Sequence, residues 1–286
     1  MSTPETMEIV TPTFILGGTP KAGTTSIYHY LDQHPQVCMS ARKETSVFID
    51  DRSLEWLSEN YYRHYDGEPA VGEASAGTLG NPAVAERVYE ALPDVQLIFV
   101  LRDPIDRLYS HFTFLQSSQA IDPDRSFSGF IRSETEWRNT LIDLGRYHKH
   151  LTRFEKYFDR DQMLVLLFED LRADAEEFMA CVYRFIGVDS SFRPSLDVQN
   201  PTRKPRFNGA YRVLSKIWAS VQERVGVYAA KHTRPLRRAV KRLIMKETDR
   251  RPMAEADKQY LQDIYREPSR KVADWLGRDL SHWKTV

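Results

Sequence analysis

The segment from Phe14 to Leu31, FILGGTPKAGTTSIYHYL, constrains the fold more strongly than any other part of the sequence. An apolar run typical of a buried strand leads into a loop with glycines at positions 18 and 23, and a helical pattern begins at Thr24. A glycine-rich turn that ends at a helix N-terminus presents backbone N–H groups and the positive end of the helix dipole to an anion. The segment therefore predicts a phosphate-binding loop between a strand and a helix.

The lysine of this loop is not where nucleoside-triphosphate loops have it. Those loops read G-x-x-x-x-G-K-[ST], in which the lysine reaches the β- and γ-phosphates and the next hydroxyl binds magnesium. Here Lys21 precedes Gly23, and the hydroxyl residues Thr24, Thr25 and Ser26 follow the glycine directly. We therefore expect Lys21 at the mouth of the loop, where a leaving group departs, with no obvious provision for a second phosphate and its metal.

Short apolar runs alternate with helical periodicity along the first two thirds of the chain, which favours a parallel sheet with crossover helices. The predicted strands are residues 13–18, 70–75, 95–101 and 162–171, and the predicted helices are 24–33, 81–92, 105–116, 145–158, 175–187, 211–225 and 256–277. Residues 192–208 are predicted to form a loop. The predicted fold is α/β: a three-layer fold with a central parallel sheet and a P-loop-like loop, plus a C-terminal helical extension. Residues 1–286 are predicted to be a single domain, with a nucleotide-binding core (13–210) and the extension (211–286).

Composition and charge exclude several classes of protein. Forty basic residues balance 40 acidic ones, so the net charge gives no argument for a nucleic-acid partner. Cys38 and Cys181 are too few for a disulfide framework, which suits a reducing compartment. No secretory signal and no run of roughly 18 apolar residues is present, so we expect a soluble, cytoplasmic protein without a membrane span. No metal site is expected, and His29, His34 and His111 are expected to pack against or cap helices.

The loop TPKAGTTSI resembles the phosphosulfate-binding loop of the sulfotransferases that use 3′-phosphoadenosine 5′-phosphosulfate, closest to the carbohydrate, heparan-type and bacterial members. This resemblance implies that the nucleotide is the cofactor and that adenosine 3′,5′-bisphosphate is the product. It also implies that Lys21 neutralises the leaving phosphate. The implied loop contacts to the nucleotide are Lys21, Ala22, Gly23, Thr24, Thr25 and Ser26.

Further motifs extend the resemblance across residues 13–210. In LIFVLRDPIDRLYSHFTF a strand ends at Arg102 and a helix carries Ser110 eight residues later; the resemblance implies that both hold the 3′-phosphate. The alternative is that Arg102 only pairs with an aspartate of the same turn. The loop NPTRKPRFNG implies further 3′-phosphate contacts from Arg203 and Lys204, with Arg206 as a substitute. Tyr147, in GRYHKHL, is expected beside the nucleotide or is a structural tyrosine.

The general base is sought in RKETSVF (42–48), because an acceptor hydroxyl must lose a proton during sulfuryl transfer. The resemblance to carbohydrate-type members implies that Glu44 is the base, with Lys43 beside it; the alternative is a solvent-facing charge pair. This chain departs from the family in two places. Heparan-type enzymes have a histidine where this chain has Ser46. Small-molecule enzymes have Lys-Thr-His near the end of the second strand, where this chain has Gly72-Glu73-Ala74-Ser75. Glu73 is therefore the second candidate base, or a buried structural carboxylate.

These features predict a sulfotransferase that acts on an acceptor hydroxyl of a carbohydrate or a natural product. The alternatives are a small-molecule kinase that uses ATP and a non-catalytic nucleotide-binding protein. Trp56, Tyr61, Tyr62 and Tyr65 would suit a polyol acceptor, although their helical spacing equally suits a core. The basic segment 231–251 is interpreted as a solvated helix face, a groove for an acidic acceptor or a contact with an anionic membrane surface.

Overall fold

A central sheet of five parallel strands organises the computed structural model. The structure describes residues 9–122, 124–196, 203–205, 245–247 and 252–286. The five strands are β1 (Phe14–Gly18), β2 (Val37–Met39), β3 (Ala70–Ala74), β4 (Gln96–Leu101) and β5 (Met163–Leu167), in the spatial order β2-β3-β1-β4-β5. The predicted α/β architecture is confirmed.

Helices surround this sheet. They are α1 (Thr24–Leu31), α2 (Leu54–Tyr61), α3 (Val84–Ala91), α4 (Pro104–Ser117), α5 (Phe127–Ile131), α6 (Glu136–Asp143), α7 (Tyr147–Phe154), α8 (Phe168–Ala173), α9 (Ala175–Phe185) and α10 (Glu255–Leu276). A short 3₁₀ helix, Arg160–Gln162, precedes β5. None of the helices in the described parts of the chain combines the length and apolar character needed to cross a membrane.

Both faces of the sheet are covered, which explains the continuous apolar runs of its central strands. Successive residues of a strand point to opposite faces. Accordingly, Ile15 and Phe99 join one buried cluster with residues of α3 and α7, whereas Leu16 and Ile98 join another with residues of α1 and α9. A third cluster, formed by α4, α5, α6 and α10, lies beyond the sheet. The two helical layers, one on each face of the sheet, therefore pack against side chains that alternate along each strand.

The strand predicted at residues 162–171 was wrong beyond Leu167. The chain turns there into helix α8, which has acidic residues at Glu169 and Asp170 in its first turn. Acidic side chains stabilise a helix N-terminus, and the apolar Phe168 and Leu171 are spaced to lie on one helical face. Strand β2 and helices α5 and α6 were not predicted; β2 and α5 have only three and five residues, too few to show a clear period.

The C-terminal helix belongs to the core. Helix α10 packs against α7 and α4, and its Leu261 and Tyr265 are fully buried in the third cluster. The helix ends at Leu276, one residue before the predicted end, and Gly277, with a φ of 62°, follows it.

The region between the core and α10 departs from a purely helical pattern. Arg203–Pro205 (β6) and Met245–Glu247 (β7) pair as antiparallel strands, so the predicted loop and the predicted helical pattern were wrong for these residues. The predicted helix 211–225 and most of the basic segment 231–251 lie outside the described residues.

Candidate active site

Lys21, Glu73 and Arg102 lie in or next to the carboxyl ends of three adjacent strands, β1, β3 and β4. Strand β1 lies between the other two, and the chain passes from β3 on one side of it to β4 on the other. In open parallel sheets, such a reversal of strand order opens a crevice beyond the strand ends where ligands bind. The loop after β1, the segment after β3 and the turn after β4 all open onto this crevice.

The loop between β1 and α1 has the backbone of an anion cradle. Gly23, the residue before α1, has a φ of 84°, and Lys21 also adopts a positive φ of 75°. No side chain caps this helix and its first turn carries no acidic residue, so the positive end of the helix faces the loop. The half-buried Thr25 and Ser26 add hydroxyl groups to the same turn. The arrangement fits a phosphate or sulfate group.

Neighbouring elements hold the loop in place. Thr19 donates its backbone N–H and its hydroxyl to the carbonyl of Val100, at 2.8 and 3.2 Å. A Cβ on Gly23 would lie 3.0 Å from both Leu171 and Phe168 of α8, so any larger residue would require these side chains or the loop to shift. Helix α8 therefore helps to fix the position of the loop. The sequence analysis did not predict this role, because it assigned residues 168–171 to a strand.

Lys21 reaches from the loop to helix α4. Its ammonium is 4.2 Å from the centre of the Phe114 ring, which is about half exposed on α4. Its carbonyl accepts a hydrogen bond from Nη1 of Arg102 at 3.0 Å. His111 lies nearby, and burial together with the positive charges of Arg107 and Lys21 lowers its pKa to about 3. His111, expected only to pack, therefore places a neutral imidazole near Lys21.

Arg102 is buried at the end of β4 and is held on several sides. Its guanidinium carbon lies 4.8 Å from the Phe168 ring centre, and the Tyr147 hydroxyl donates to its carbonyl at 2.7 Å. The aspartates of the following turn have other partners: Asp103 caps α4 by accepting from the Asp106 amide, and Asp106 binds the Lys284 ammonium. This arrangement favours a ligand-binding role for Arg102.

Tyr147 lies beneath the site. Its side chain is fully buried, and burial raises its pKa well above the ordinary value. In this conformation the ring presents no exposed surface to a nucleotide, so the structure gives it a supporting position under Arg102.

Ser110 lies on α4, two turns beyond Arg102, and is buried. The backbone of β6, which contains Arg203 and Lys204, passes beside α4. The side chains of these two residues and the whole of Arg206 lie outside the described part of the structure. Their predicted contacts with a 3′-phosphate therefore stay predictions.

The Lys43–Glu44 pair contacts the first turn of α1. The Lys43 ammonium donates to Oγ1 of Thr24 at 2.6 Å and lies 3.2 Å from Glu44 Oε1. Burial lowers the pKa of Lys43, while the neighbouring Glu44 opposes that shift. The other carboxylate oxygen of Glu44 accepts from the Ala76 amide at 2.6 Å. The pair is thus fixed against the loop, which disfavours the interpretation as a solvent-facing charge pair.

The two candidate bases differ in exposure. The Glu44 side chain is 45% exposed, whereas Glu73 is fully buried at the end of β3. Burial raises the pKa of Glu73 to about 7. An acceptor hydroxyl can therefore approach Glu44 from the crevice, and in this conformation it has no path to Glu73.

Several residues of the site were missed by sequence reasoning. Phe168 and Glu169 support Arg102 and the amide of Asp103, respectively. Thr45 and Ser75 both donate to Glu73. Glu169 and Asp170, which follow the apolar run 163–167, could have indicated the start of α8. No sequence pattern near Thr45 or Ser75 indicated that they bind Glu73. In the parts of the chain that the structure describes, no group of three or more histidine, cysteine or acidic residues is placed to hold a metal ion.

Comparison with known proteins gives a consistent result. The family model described as "Sulfotransferase domain" matches residues 11–208. The membrane-associated sulfotransferase kil1 of Dictyostelium discoideum is 29% identical, over 52% of this chain and 34% of its own length. Carbohydrate sulfotransferase 15 of Homo sapiens is 25% identical, over 74% of this chain and 50% of its own length. The chain therefore spans half or less of the length of these relatives.

A solved structure confirms the fold. The sulfotransferase from Alicyclobacillus acidocaldarius superposes with a TM-score of 0.70 and 23% sequence identity, covering 96% of this chain and 100% of that one. At this level of identity the likeness concerns the arrangement of helices and strands.

Proposed function

Because the chain belongs to the sulfotransferase domain family, we propose that it transfers the sulfuryl group of 3′-phosphoadenosine 5′-phosphosulfate to an acceptor hydroxyl. The contact between Lys43 and Thr24 carries this proposal, because it holds the Lys43–Glu44 pair against the helix end where the loop fits an anion. A carboxylate beside an anion site is what the reaction needs when a hydroxyl must lose its proton as it attacks.

The residues present fit the nucleotide. The uncapped start of α1 and the glycine at position 23 suit the 5′-phosphosulfate, and Arg102 with Ser110 suits the 3′-phosphate. Arginine offers a planar fork that matches a phosphate. When bound, the nucleotide supplies the sulfuryl group and leaves as adenosine 3′,5′-bisphosphate. Tyr147 is assigned a supporting role in this proposal, and Arg203 and Lys204 are further proposed contacts.

Two charged residues are assigned to the chemistry itself. Glu44, oriented by the Ala76 amide and by Lys43, accepts the proton of the acceptor hydroxyl. Lys21, a residue of the loop itself, provides the positive charge that stabilises the leaving phosphate. Lys43 contacts both Glu44 and the Thr24 hydroxyl, and so holds the Glu44 carboxylate near the start of α1.

The proposed acceptor is a hydroxyl on a carbohydrate or on a sugar-bearing natural product. The name of the human relative, carbohydrate sulfotransferase 15, supports this class. Two of the four aromatic residues suggested for acceptor contact do not suit that role. Tyr61 and Tyr62 are buried core residues, and Tyr62 donates to the Gly72 carbonyl. Trp56 and the more exposed Tyr65 are the aromatic residues left for such a contact. A cytoplasmic location stays a prediction, since one relative is named as membrane-associated.

Nucleotide binding and turnover test the proposal together. Adenosine 3′,5′-bisphosphate should raise the melting temperature more than ATP with magnesium does, because a ligand of the folded state stabilises by mass action. Glu44→Gln should keep this shift and lower sulfuryl transfer by roughly 10²–10⁴-fold, the usual contribution of a general base.

Glu90→Gln, which changes an exposed carboxylate on α3, is the matched control and should transfer normally. Stabilisation by ATP with magnesium alone would contradict the proposal in favour of a kinase. Transfer from labelled donor to simple phenols, with none to glycans, would contradict the acceptor class only.

A further inference from the structure

Glu73 is a buried carboxyl group with two hydroxyl groups hydrogen-bonded to it. It is fully buried near the end of β3, an interior strand of the sheet, beside Ile15 of β1. One carboxylate oxygen accepts hydrogen bonds from the hydroxyls of Thr45 and, at 2.6 Å, Ser75. The other oxygen has no hydrogen-bond partner among the described residues. Burying a carboxyl group with one unpaired oxygen costs free energy of folding, which suggests that Glu73 has a role beyond packing.

Its two partners connect Glu73 to the loop that carries Lys43 and Glu44. Oγ of Ser75 accepts from the Ser46 amide at 2.9 Å, and Oγ1 of Thr45 accepts from the Val47 amide at 3.3 Å. Each hydroxyl can accept from the loop backbone because it donates its own proton to Glu73. The carboxyl group therefore lies at the centre of a network that joins the end of β3 to residues 43–47.

The same loop carries the charges that act on Glu73. Burial has the largest effect on its pKa, and the charged groups that act on it are Glu44, which raises the pKa, and Lys43, which lowers it. Ionisation of Glu73 in turn favours the charged form of Lys43. The protonation state of the buried carboxyl group is thus coupled to both members of the Lys43–Glu44 pair.

We propose that Glu73 is a positioning residue of the transfer reaction, which fixes the loop of Lys43 and Glu44 through its hydrogen bonds with Thr45 and Ser75. This inference rests on the proposed function, in which Glu44 is the base. Glu73 itself exchanges no proton with the acceptor. Its carboxyl group holds the two hydroxyls in the orientation in which they can accept from the loop amides.

Turnover of matched variants tests this role. Thr45→Val and Ser75→Ala should each lower kcat about tenfold, the effect expected when a reacting group is slightly misplaced, with unchanged binding of adenosine 3′,5′-bisphosphate. Glu73→Ala should lower kcat by at least as much. Glu73→Gln should stay within about threefold of wild type, because its amide oxygen still accepts from both hydroxyls. Ser269→Ala, which breaks a buried hydroxyl pair with Thr285 elsewhere, should leave kcat unchanged.

The pH dependence separates positioning from simple structural support. Glu73 is neutral below about pH 7 and ionised above it, and its ionised form favours the charged form of Lys43. The kcat profile of wild type should therefore show a bend near pH 7 of no more than about threefold. Glu73→Gln cannot ionise and should lose that bend while it keeps its activity. A Glu73→Gln variant as inactive as Glu44→Gln would overturn the proposal by identifying Glu73 as the base. So would a bend that persists in Glu73→Gln, or Thr45→Val and Ser75→Ala variants that behave like Ser269→Ala.

A readout without turnover keeps this inference separate from the proposed function. Amide hydrogen exchange of residues 43–47 should be faster in Glu73→Ala than in wild type and unchanged in Ser269→Ala. Slow exchange in Glu73→Ala would overturn the role of the network even if sulfuryl transfer is confirmed. Failure of the proposed function would instead appear in the wild type, as absence of transfer.

Discussion

At Arg102, the neighbouring residues determine what a single guanidinium can do. Tyr147 holds its carbonyl, Phe168 covers one face of its side chain, and Nη1 binds the carbonyl of Lys21. These contacts keep a positive charge buried at the end of β4. A buried arginine held in this way is suited to bind a phosphate, because little side-chain freedom is lost when the ligand arrives.

Replacing Arg102 with alanine should therefore weaken binding of adenosine 3′,5′-bisphosphate by roughly 2–5 kcal/mol, the usual effect of removing one member of a buried charge pair. Binding of adenosine 5′-monophosphate should hardly change, because that nucleotide lacks the 3′-phosphate. Isothermal titration calorimetry with the two nucleotides measures the difference.

Arg184→Ala is a suitable control, since this arginine forms an exposed ion pair with Glu177 within α9. It should leave both affinities unchanged. Equal losses for the two nucleotides in Arg102→Ala would show that Arg102 only supports the loop through Lys21.

At the scale of elements, the position of the loop between β1 and α1 depends on helix α8, which begins directly after β5. Gly23 has a φ of 84°, and a Cβ there would lie 3.0 Å from both Phe168 and Leu171. Gly67 offers a comparison within the same chain, because its φ is 88° and nothing lies within 4 Å of an added Cβ. The two positions share backbone strain and differ in crowding.

We expect Gly67→Ala to lose roughly 1–2 kcal/mol of stability from the left-handed backbone alone. Gly23→Ala should lose more, and it should also bind adenosine 3′,5′-bisphosphate more weakly, because the loop must move away from α8. Urea unfolding and calorimetry measure both effects. Equal stability losses and normal nucleotide binding in both variants would contradict the role given to α8.

At the scale of the whole molecule, α10 completes the core although it lies far along the chain from β1. Its Leu261 and Tyr265 are fully buried, and the Tyr265 hydroxyl donates to the Ile142 carbonyl at 2.9 Å. Its Val272 joins the cluster on one face of the central sheet. This packing implies that the sheet and the C-terminal helix unfold together.

Leu261→Ala should accordingly destabilise the protein by about 2–5 kcal/mol, the range for a buried leucine replaced by alanine. The urea transitions followed by circular dichroism and by tryptophan fluorescence should shift together and coincide. Arg266→Ala, a change at a largely exposed position on the same helix, should stay within about 0.5 kcal/mol of wild type. Two separate transitions in Leu261→Ala would contradict a single cooperative unit.

Local patterns were enough to predict the loop, its lysine and the strand that ends at Arg102. Glycine spacing, apolar runs and the Asp103-Pro104 helix start act within a few residues, so the sequence displays them directly. The confirmed α/β fold followed from the alternation of strands and helices. The boundary between β5 and α8 was mistaken because a continuous apolar run does not show where a strand gives way to a helix.

The sequence by itself determined the glycine loop and the residues that follow β1 and β4, because loop glycines and strand ends are encoded locally. Tertiary structure alone decided which carboxylate faces solvent: Glu44 is 45% exposed, whereas Glu73 is enclosed by Thr45 and Ser75. It also decided that α8 supports the loop. Exposure, pKa and hydrogen-bond partners arise from residues distant in the chain that packing brings together, and no local pattern of residue types specifies them.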